Sequence, residues 1–316
     1  MGAPSRPRFG SLQVYPRKRV DYFIPSVNWS TIKTDSKHNG LLGYILYKVG
    51  MGTALVKDST DKSMTQGKKV YIPVTILEAP SMKVFAVRFY KNNLPIKDII
   101  VSHDKDLKKI IKLPKQLHNF DEQVPKEFED IRILVYSIAK QTSVKKTPDI
   151  GEIGVSAQNK LEYVKTLFNK ELSMKDSLIT HLVDVRGVTT GRGLSGPVKR
   201  FGITLKGHKS EKGVRRPGSL APWHPARVTF RTPMAGQLGM FSRIHYNSLL
   251  ITQGSISEKN INPSSGFKNY GNINSSYVVL KGSVQGPPKR QILITPAFRT
   301  TKILAKTKYE LLELLT

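Results

Sequence analysis

The side chains with the most evident chemical use are cations gathered in the middle of the chain. Residues 186–231 contain seven Arg and four Lys against one acid, Glu211, so this stretch carries a net charge of +10. The planar guanidinium of arginine binds phosphate oxygens with two parallel hydrogen bonds and stacks on bases. Because the whole sequence also has a formal net charge of +28, this pattern indicates nucleic acid as the partner.

A tryptophan lies inside the same basic stretch. Trp223 is flanked by Pro222 and Pro225 and is followed by Arg227. Burying this residue in a protein core would bring charged neighbours into the core with it, which is costly. We therefore interpret Trp223 as a side chain that stacks on bases or wedges between them. The alternative is that it packs against the apolar residues of its own segment.

No residue pattern indicates catalysis. The segment Gly191 to Gly196 has the G-x-G-x-x-G spacing of dinucleotide-binding loops, but Gly202 and Gly207 interrupt the helix that such a loop must open. These glycines are better suited to a bendable loop close to a phosphate backbone. The seven His residues have no metal-binding spacing and the sequence has no Cys, so zinc sites, disulfides and thiolate chemistry are not expected. A G-x-S-x-G nucleophile motif is also absent.

The rest of the chain must position these residues. A chain of 316 residues, of which 39% are hydrophobic, can bury a core and is not expected to be disordered throughout. Residues 1–19 carry five cations and no apolar run, so we expect no signal peptide. No apolar stretch reaches the roughly 18 residues of a membrane span. Together with the absence of Cys, these features predict a soluble intracellular protein in a reducing compartment.

Runs of β-branched and aromatic residues predict strands on both sides of the basic stretch. The predicted strands are 42–56, 69–77, 82–90, 131–138, 178–188, 246–252, 277–284 and 291–295. Helices are predicted at 107–111, around 157–168 with Ser156 as the N-cap, and as a short helix in the tail 300–316. Ten glycines and five prolines between 187 and 239 exclude a long helix from the basic stretch. We therefore expect an extended arm that becomes ordered with nucleic acid.

Residues 186–247 resemble the universal large-subunit ribosomal protein family known as L-three, in its archaeal and eukaryotic form. The shared motifs are Gly191-Arg192-Gly193, Val198-Lys199-Arg200-Phe201-Gly202, Arg215-Arg216, Trp223-His224-Pro225-Ala226-Arg227-Val228, Ala235-Gly236-Gln237-Leu238-Gly239 and Tyr246-Asn247. The segments 9–19, 42–51 and 266–290 are also similar to the family in order, so the resemblance covers nearly the whole chain. The tryptophan at position 223, which the bacterial form lacks, and the chain length favour the archaeal branch.

The resemblance implies a mainly β protein in which an antiparallel β-barrel body carries an α+β insert, an extended basic N-terminal segment and a long central basic loop. We expect a basic N-terminal extension at 1–40, the first part of the barrel at 41–90, the α/β insert at 91–178, a barrel strand at 179–190, a central arm that penetrates rRNA at 191–245, the second part of the barrel at 246–299 and a C-terminal tail at 300–316.

For function, the resemblance implies a structural constituent of the large ribosomal subunit in the cytoplasm. Such a protein would bind 23S-type rRNA directly, aid subunit assembly, contact neighbouring large-subunit proteins and support the peptidyl transferase centre with the arm tip at Trp223. The residues expected to bind rRNA are Arg17, Lys18, Arg19, Arg192, Lys199, Arg200, Lys206, Lys209, Lys212, Arg215, Arg216, Trp223, His224, Arg227, Arg231, Gln237, Arg243, Lys289 and Arg290.

We expect no catalytic residue, no metal site, no membrane and no small-molecule substrate, and any magnesium would accompany the rRNA. Two alternatives remain open. An RNA-modifying or RNA-processing enzyme with a β-barrel RNA-binding domain would need a catalytic constellation that the sequence does not show. A DNA-architectural protein would use basic residues and an apolar wedge in a similar way.

Overall fold

The computed structural model describes residues 10–32, 39–117 and 119–315. The parts of the predicted N-terminal extension at 1–9 and 33–38 lie outside the described residues. The chain forms two compact units. Unit 1 consists of Val188–Ser242 and the N-terminal segment up to Tyr22, and unit 2 consists of Phe23–Gly187 and Arg243–Thr316.

The described chain is mainly β, as predicted. In chain order, its strands are β1 (Gly40–Leu41), β2 (Tyr44–Asp58), β3 (Lys69–Ala79), β4 (Met82–Lys91), β5 (Leu94–Ile100), β6 (Asp130–Ser137), β7 (Ile150–Ser156), β8 (Leu182–Val188), β9 (Leu194–Ser195), β10 (Gly236–Gln237), β11 (Ser242–Ser255), β12 (Ser276–Lys281), β13 (Gln291–Pro296) and β14 (Tyr309–Leu315). The α-helices are α1 (Phe120–Gln123), α2 (Lys160–Thr166), α3 (Pro197–Phe201) and α4 (Lys302–Lys306). None of these helices is long and apolar enough to cross a bilayer.

Unit 2 contains two large sheets. The first has five strands in the order β1-β7-β6-β4-β5, and its pairings are antiparallel. The second has seven strands in the order β13-β8-β11-β12-β3-β2-β14. Because β13 also pairs with β2, the hydrogen-bonded order of six strands closes on itself, and β14 is added along β2. The predicted antiparallel pairing is thus confirmed.

The core of unit 2 depends on strands that bury both faces. All six residues of Tyr44–Val49 in β2 are buried, and apart from Lys48 they are the aromatic and aliphatic residues expected of a strand packed on two sides. One cluster joins residues of β2, β8 and β13 to residues of β4, β6 and β7. A second cluster joins β2, β3 and β12 to the loop that follows β11. Glu78 holds this loop, because its buried carboxylate accepts hydrogen bonds from Tyr270, Asn274 and Ser275.

Two predicted details are wrong. Ser156 is the last residue of β7 and does not cap a helix; instead, the Asn159 side chain accepts a hydrogen bond from the N–H of Glu162 at the start of α2. The predicted tail helix covers only α4, since the tail then continues as β14. The unpaired edge of β2 offers β14 a full hydrogen-bond ladder, which overrides the helical spacing of the tail leucines.

Besides β14 and the two-residue strands, two strands of seven residues, β5 and β7, were not predicted. A two-residue turn at Asn92 and Asn93, both with positive φ, joins β4 to β5 in a hairpin, and asparagine tolerates this conformation well. The other missed strand, β7, contains Gly151 and Gly154, which suggest a loop in the sequence. A Cβ at Gly154 would lie 3.1 Å from the side chains of Leu42 and Trp29, so this strand needs glycine for close packing.

Candidate nucleic-acid interface

The basic stretch of unit 1 keeps its side chains at the surface. No residue from 202 to 238 is buried. Most of the cations of unit 1 that we predict to bind phosphate are exposed. They are Lys18, Arg19, Arg192, Lys199, Lys206, Lys209, Lys212, Arg215, Arg216, Arg227 and Arg231. This part of the chain therefore presents charge to solvent and does not build a core of its own.

These cations are also short of acidic partners. Lys18 has Asp21 at 3.5 Å, while Lys206, Lys209, Lys212, Arg215 and Arg216 have no carboxylate of a described residue within 4.0 Å. Unit 2, by contrast, contains a network of ion pairs that includes Arg88, Arg132 and Lys160. Because like charges repel when no counter-charge is present, the cations of unit 1 favour association with a polyanion.

Few main-chain hydrogen bonds hold the exposed stretch. The N–H of Lys206 donates to the carbonyl of Val214 at 3.1 Å, and the hydroxyl of Thr232 donates to the carbonyl of Leu220 at 2.7 Å. Helix α3 is the one α-helix of unit 1 among the described residues, and it has five residues. A segment with so little internal bonding gains order when a partner satisfies its polar groups.

Trp223 is 87% exposed. Its ring is nearly perpendicular to the His224 ring, with the centroids 6.2 Å apart. The alternative interpretation, in which Trp223 packs against the apolar residues of its own segment, is wrong because such packing would cover the indole. An exposed indole among cations has a free π-face on which a base can stack.

Arg17, residues 200–201 and residues 234–237 form a small cluster around Phe201, which is buried. The guanidinium of Arg17 lies 4.3 Å from the Phe201 ring centroid and that of Arg200 lies 5.2 Å from it. Arg17 donates to the carbonyl of Arg200 at 2.9 Å, and Arg200 donates to the carbonyls of Gln237 at 3.0 Å and Met234 at 2.9 Å. Burial and the nearby Arg17 charge lower the pKa of Arg200 from its usual value.

Three of the predicted rRNA-binding side chains therefore hold the protein main chain. Besides Arg17 and Arg200, Gln237 donates from Nε2 to the carbonyls of Leu238 and Gly239, at 3.3 and 3.1 Å. Such bonds fix the backbone from which the exposed cations extend. These three residues position the surface, while Lys206, Lys209, Lys212, Arg215 and Arg216 keep side-chain hydrogen-bond donors that no described residue uses.

The glycine motif does not form a dinucleotide site. Gly193 has a φ of +60°, β9 pairs with β10, and Gly196 precedes α3, which is too short to present a helix dipole to pyrophosphate. The motif instead forms the start of a narrow ribbon. Leu194 within it is 86% exposed, a surface apolar residue that the sequence analysis did not single out.

This ribbon should be sensitive to Gly239. Gly239 has a φ of +75°, and a Cβ at this position would lie 2.0 Å from the carbonyl oxygen of Thr190. We expect Gly239→Ala to destabilise the ribbon by at least about 1 kcal/mol, since both strain and a backbone clash oppose it. Hydrogen exchange should then be about five-fold or more faster at the amides of Arg192 and Leu238, which bond across the ribbon.

The matched control is Gly207→Ala, because a Cβ at Gly207 has nothing within 4 Å. We expect this substitution to leave both amides as protected as in the unsubstituted protein. Equal protection in Gly239→Ala and Gly207→Ala would contradict the assignment of Gly239 to a close backbone approach.

The remaining predicted residues lie in unit 2. Arg243 and Lys289 are exposed, and the guanidinium of Arg290 lies 4.8 Å from the Phe23 ring centroid. Burial lowers the pKa of Arg290. The N–H of Lys289 donates to the carbonyl of Lys48 at 2.7 Å.

Lys48 itself was missed by the sequence analysis because it lies in an apolar strand. Its buried Nζ donates to the carbonyls of Val284 and Gly286, and burial lowers its pKa. This lysine fixes the loop 284–290, which carries Lys289 and Arg290. Across the described ranges of the chain, no group of three or more His, Asp or Glu residues is arranged to hold a metal ion.

Comparison with known families agrees with this geometry. The family model described as ribosomal protein L3 matches residues 1–99 and 97–314. The chain belongs to the ribosomal protein L3 family. The resemblance noted from the motifs between Gly191 and Asn247 is thereby confirmed.

Three curated members of the L3 family, each named large ribosomal subunit protein uL3, come from archaea. The protein of Methanocaldococcus jannaschii is 38% identical over 320 residues, which cover 96% of this chain and 94% of that protein. The protein of Methanococcus vannielii is 37% identical, with 93% and 92% covered. The protein of Methanococcoides burtonii is 36% identical, with 95% and 94% covered. The match to archaeal L3 proteins thus extends over both units.

Proposed function

We propose that this protein is a structural constituent of the large ribosomal subunit, located on ribosomes in the cytoplasm, and that it binds large-subunit rRNA directly. The observation that carries the proposal is the stretch 202–238, which has no buried side chain and in which Lys206, Lys209, Lys212, Arg215 and Arg216 have no carboxylate of a described residue within 4.0 Å. Phosphate groups would supply the missing counter-charge and release condensed ions to solution. The names of the archaeal relatives place them in the same subunit.

In this proposal the residues have distinct roles. The exposed cations of unit 1 neutralise phosphates, and Trp223 stacks on a base at the tip of the arm, where it supports the peptidyl transferase centre. Arg17, Arg200 and Gln237 keep the main chain in place. Arg243, Lys289 and Arg290 add contacts from unit 2. The His224 ring, which is exposed beside Trp223, is a second stacking group.

The domain assignment made from the sequence is part of the same proposal. The closed order of six strands in unit 2 would be the β-barrel body, the residues 91–178 its insert, and the residues 191–245 the arm that enters rRNA. The protein would aid subunit assembly, contact neighbouring large-subunit proteins, need no cofactor and catalyse no reaction. Magnesium at the interface would belong to the rRNA.

The proposal predicts a steep dependence of rRNA affinity on salt. For the full chain and a large-subunit rRNA transcript, the logarithm of the affinity should fall by about 0.7–0.9 per contacted phosphate for each tenfold increase in salt. Structured rRNA should outcompete duplex DNA of the same length. Affinity that does not change with salt would refute direct phosphate binding, and equal competition by duplex DNA would favour an architectural DNA-binding protein.

A further inference from the structure

Arg186 in β8 is a buried arginine without a partner. Its side chain belongs to unit 2 and the residue is only 9% exposed. Its side chain makes no hydrogen bond or ion pair with any described residue, and its Nε is enclosed without a partner. Buried charges are normally paired, and each unsatisfied buried group needs an explanation.

Asp184, the acid whose charge acts on Arg186, does not form an ion pair with it. The carboxylate of Asp184 is fully buried and accepts the N–H of Asn247 at 2.9 Å and the N–H of Phe298 at 3.0 Å. It forms no ion pair within 4.0 Å with Arg186, so its charge acts on the guanidinium only over a longer distance. The Oδ1 of Asn247 is also enclosed without a partner, so Arg186 does not use this acceptor either.

Another buried arginine of unit 2 shows what a structural pairing looks like. Arg132 is 8% exposed. Its guanidinium donates to Asp130 at 3.2 Å and to Glu152 at 3.0 Å, and it lies 3.9 Å from the ring centroid of Tyr90. Burial alone lowers an arginine pKa, and at Arg132 the paired acids outweigh this effect, so its pKa is raised. At Arg186 burial dominates and the pKa is lowered.

The guanidinium of Arg186 still has access to solvent. Of its three nitrogens only Nε is both enclosed and unpaired, so the two terminal nitrogens reach the surface. Tyr246 of β11, which is 55% exposed, lies within electrostatic range of the guanidinium. A guanidinium that is fixed by burial and open at its two terminal nitrogens has the donor arrangement that matches two oxygens of a phosphate.

We propose that Arg186 binds a backbone phosphate of rRNA, with the exposed ring of Tyr246 beside it, as a contact made by unit 2. The proposal rests on the proposed function and adds a residue that the sequence analysis counted only as part of the basic stretch. Leaving this cation unpaired lowers the stability of the free protein, and the phosphate supplies the missing partner in the complex. An arginine that is kept here for phosphate binding therefore lowers the folding stability of the free protein.

The test compares Arg186→Met with Arg132→Met in the full chain. Arg186→Met should melt at or above the temperature of the unsubstituted protein, because replacing a buried unpaired charge by an apolar group of similar size is neutral or stabilising. It should also bind the large-subunit rRNA transcript about 10-fold more weakly at physiological salt, with a salt slope smaller by about 0.7–0.9. Arg186→Lys, which keeps the charge and loses the planar fork, should lie between the two.

Arg132→Met should show the opposite pattern, with a lower melting temperature and unchanged rRNA affinity below that temperature, since it breaks a paired buried network. If this variant does not fold, Arg88→Met replaces it, because Arg88 is paired with Asp98 at 2.6 Å. An Arg186→Met protein with unchanged affinity and salt slope overturns the proposal, whatever its melting temperature. Failure of the unsubstituted protein to bind the transcript would instead overturn the proposed function.

Discussion

Replacing Lys206, Lys209, Lys212, Arg215 and Arg216 together by glutamine should weaken rRNA binding about 1,000-fold at physiological salt. Each of these side chains is exposed, and none has a carboxylate of a described residue within 4.0 Å. If each neutralises one phosphate, the change removes five released counterions, and the slope of log affinity against log salt should decrease by about 3.5–4.5. Filter binding at several salt concentrations measures both quantities.

The control is an equal loss of charge elsewhere on the chain. Lys108, Lys112, Lys115, Lys126 and Lys170 are exposed in unit 2, within a stretch, 91–176, whose sixteen cations are balanced by thirteen acids. Their replacement by glutamine should change affinity only through long-range electrostatics, which salt screens. An equal loss in both variants would mean that net charge, and not the arm, determines rRNA binding.

Replacing Trp223 by alanine should reduce function without reducing stability. The side chain is 87% exposed, so the melting temperature should not change. The loss of one stacked base is worth about 1–3 kcal/mol, which corresponds to about 5–150-fold weaker binding of an rRNA fragment that reaches the tip. In cells, we expect fewer mature large subunits, measured as the ratio of subunits in sucrose gradients.

Fluorescence gives a second measurement, because the chain contains two tryptophans. Trp29 is 4% exposed and packs in the core of unit 2. In a Trp29→Phe background the emission comes from Trp223 alone, and it should be that of a solvated indole and be quenched when rRNA binds. Blue-shifted emission in the free protein, or a lower melting temperature of Trp223→Ala, would contradict the assignment of Trp223 to the surface.

Much of the fold could be predicted because the amino-acid composition of a strand differs from that of a helix or a loop. Most predicted strands agree with the structure to within a few residues, since β-branched and aromatic runs determine burial in a sheet. The tail at Tyr309–Leu315 could not be predicted in this way. Its leucine spacing fits a helix, and only the free edge of β2, which is far away in the sequence, makes it a strand.

The positive charge of the candidate interface could be predicted from the sequence. Which of its cations hold the protein main chain and which stay exposed could not. The sequence shows that Arg200 and Lys206 lie in the same basic stretch. It does not show that Arg200 is used by the carbonyls of Met234 and Gln237 while Lys206 stays exposed. That difference arises because residues 234–237 fold back against Arg200. In the same way, the unpaired state of Arg186 requires knowledge of the partners that already occupy Asp184.

Strands β8 and β11 are neighbours in one sheet although residues 189–241 separate them in the chain. The whole basic stretch is therefore a long insertion between two adjacent strands, with its entry and exit fixed by the same ladder. Because the entropy of closing a loop grows only slowly with its length, an insertion here can lengthen, shorten or change composition at little cost to the sheet. If this stretch binds rRNA as proposed, its residues can change to suit the RNA while the residues that pack the sheet stay the same.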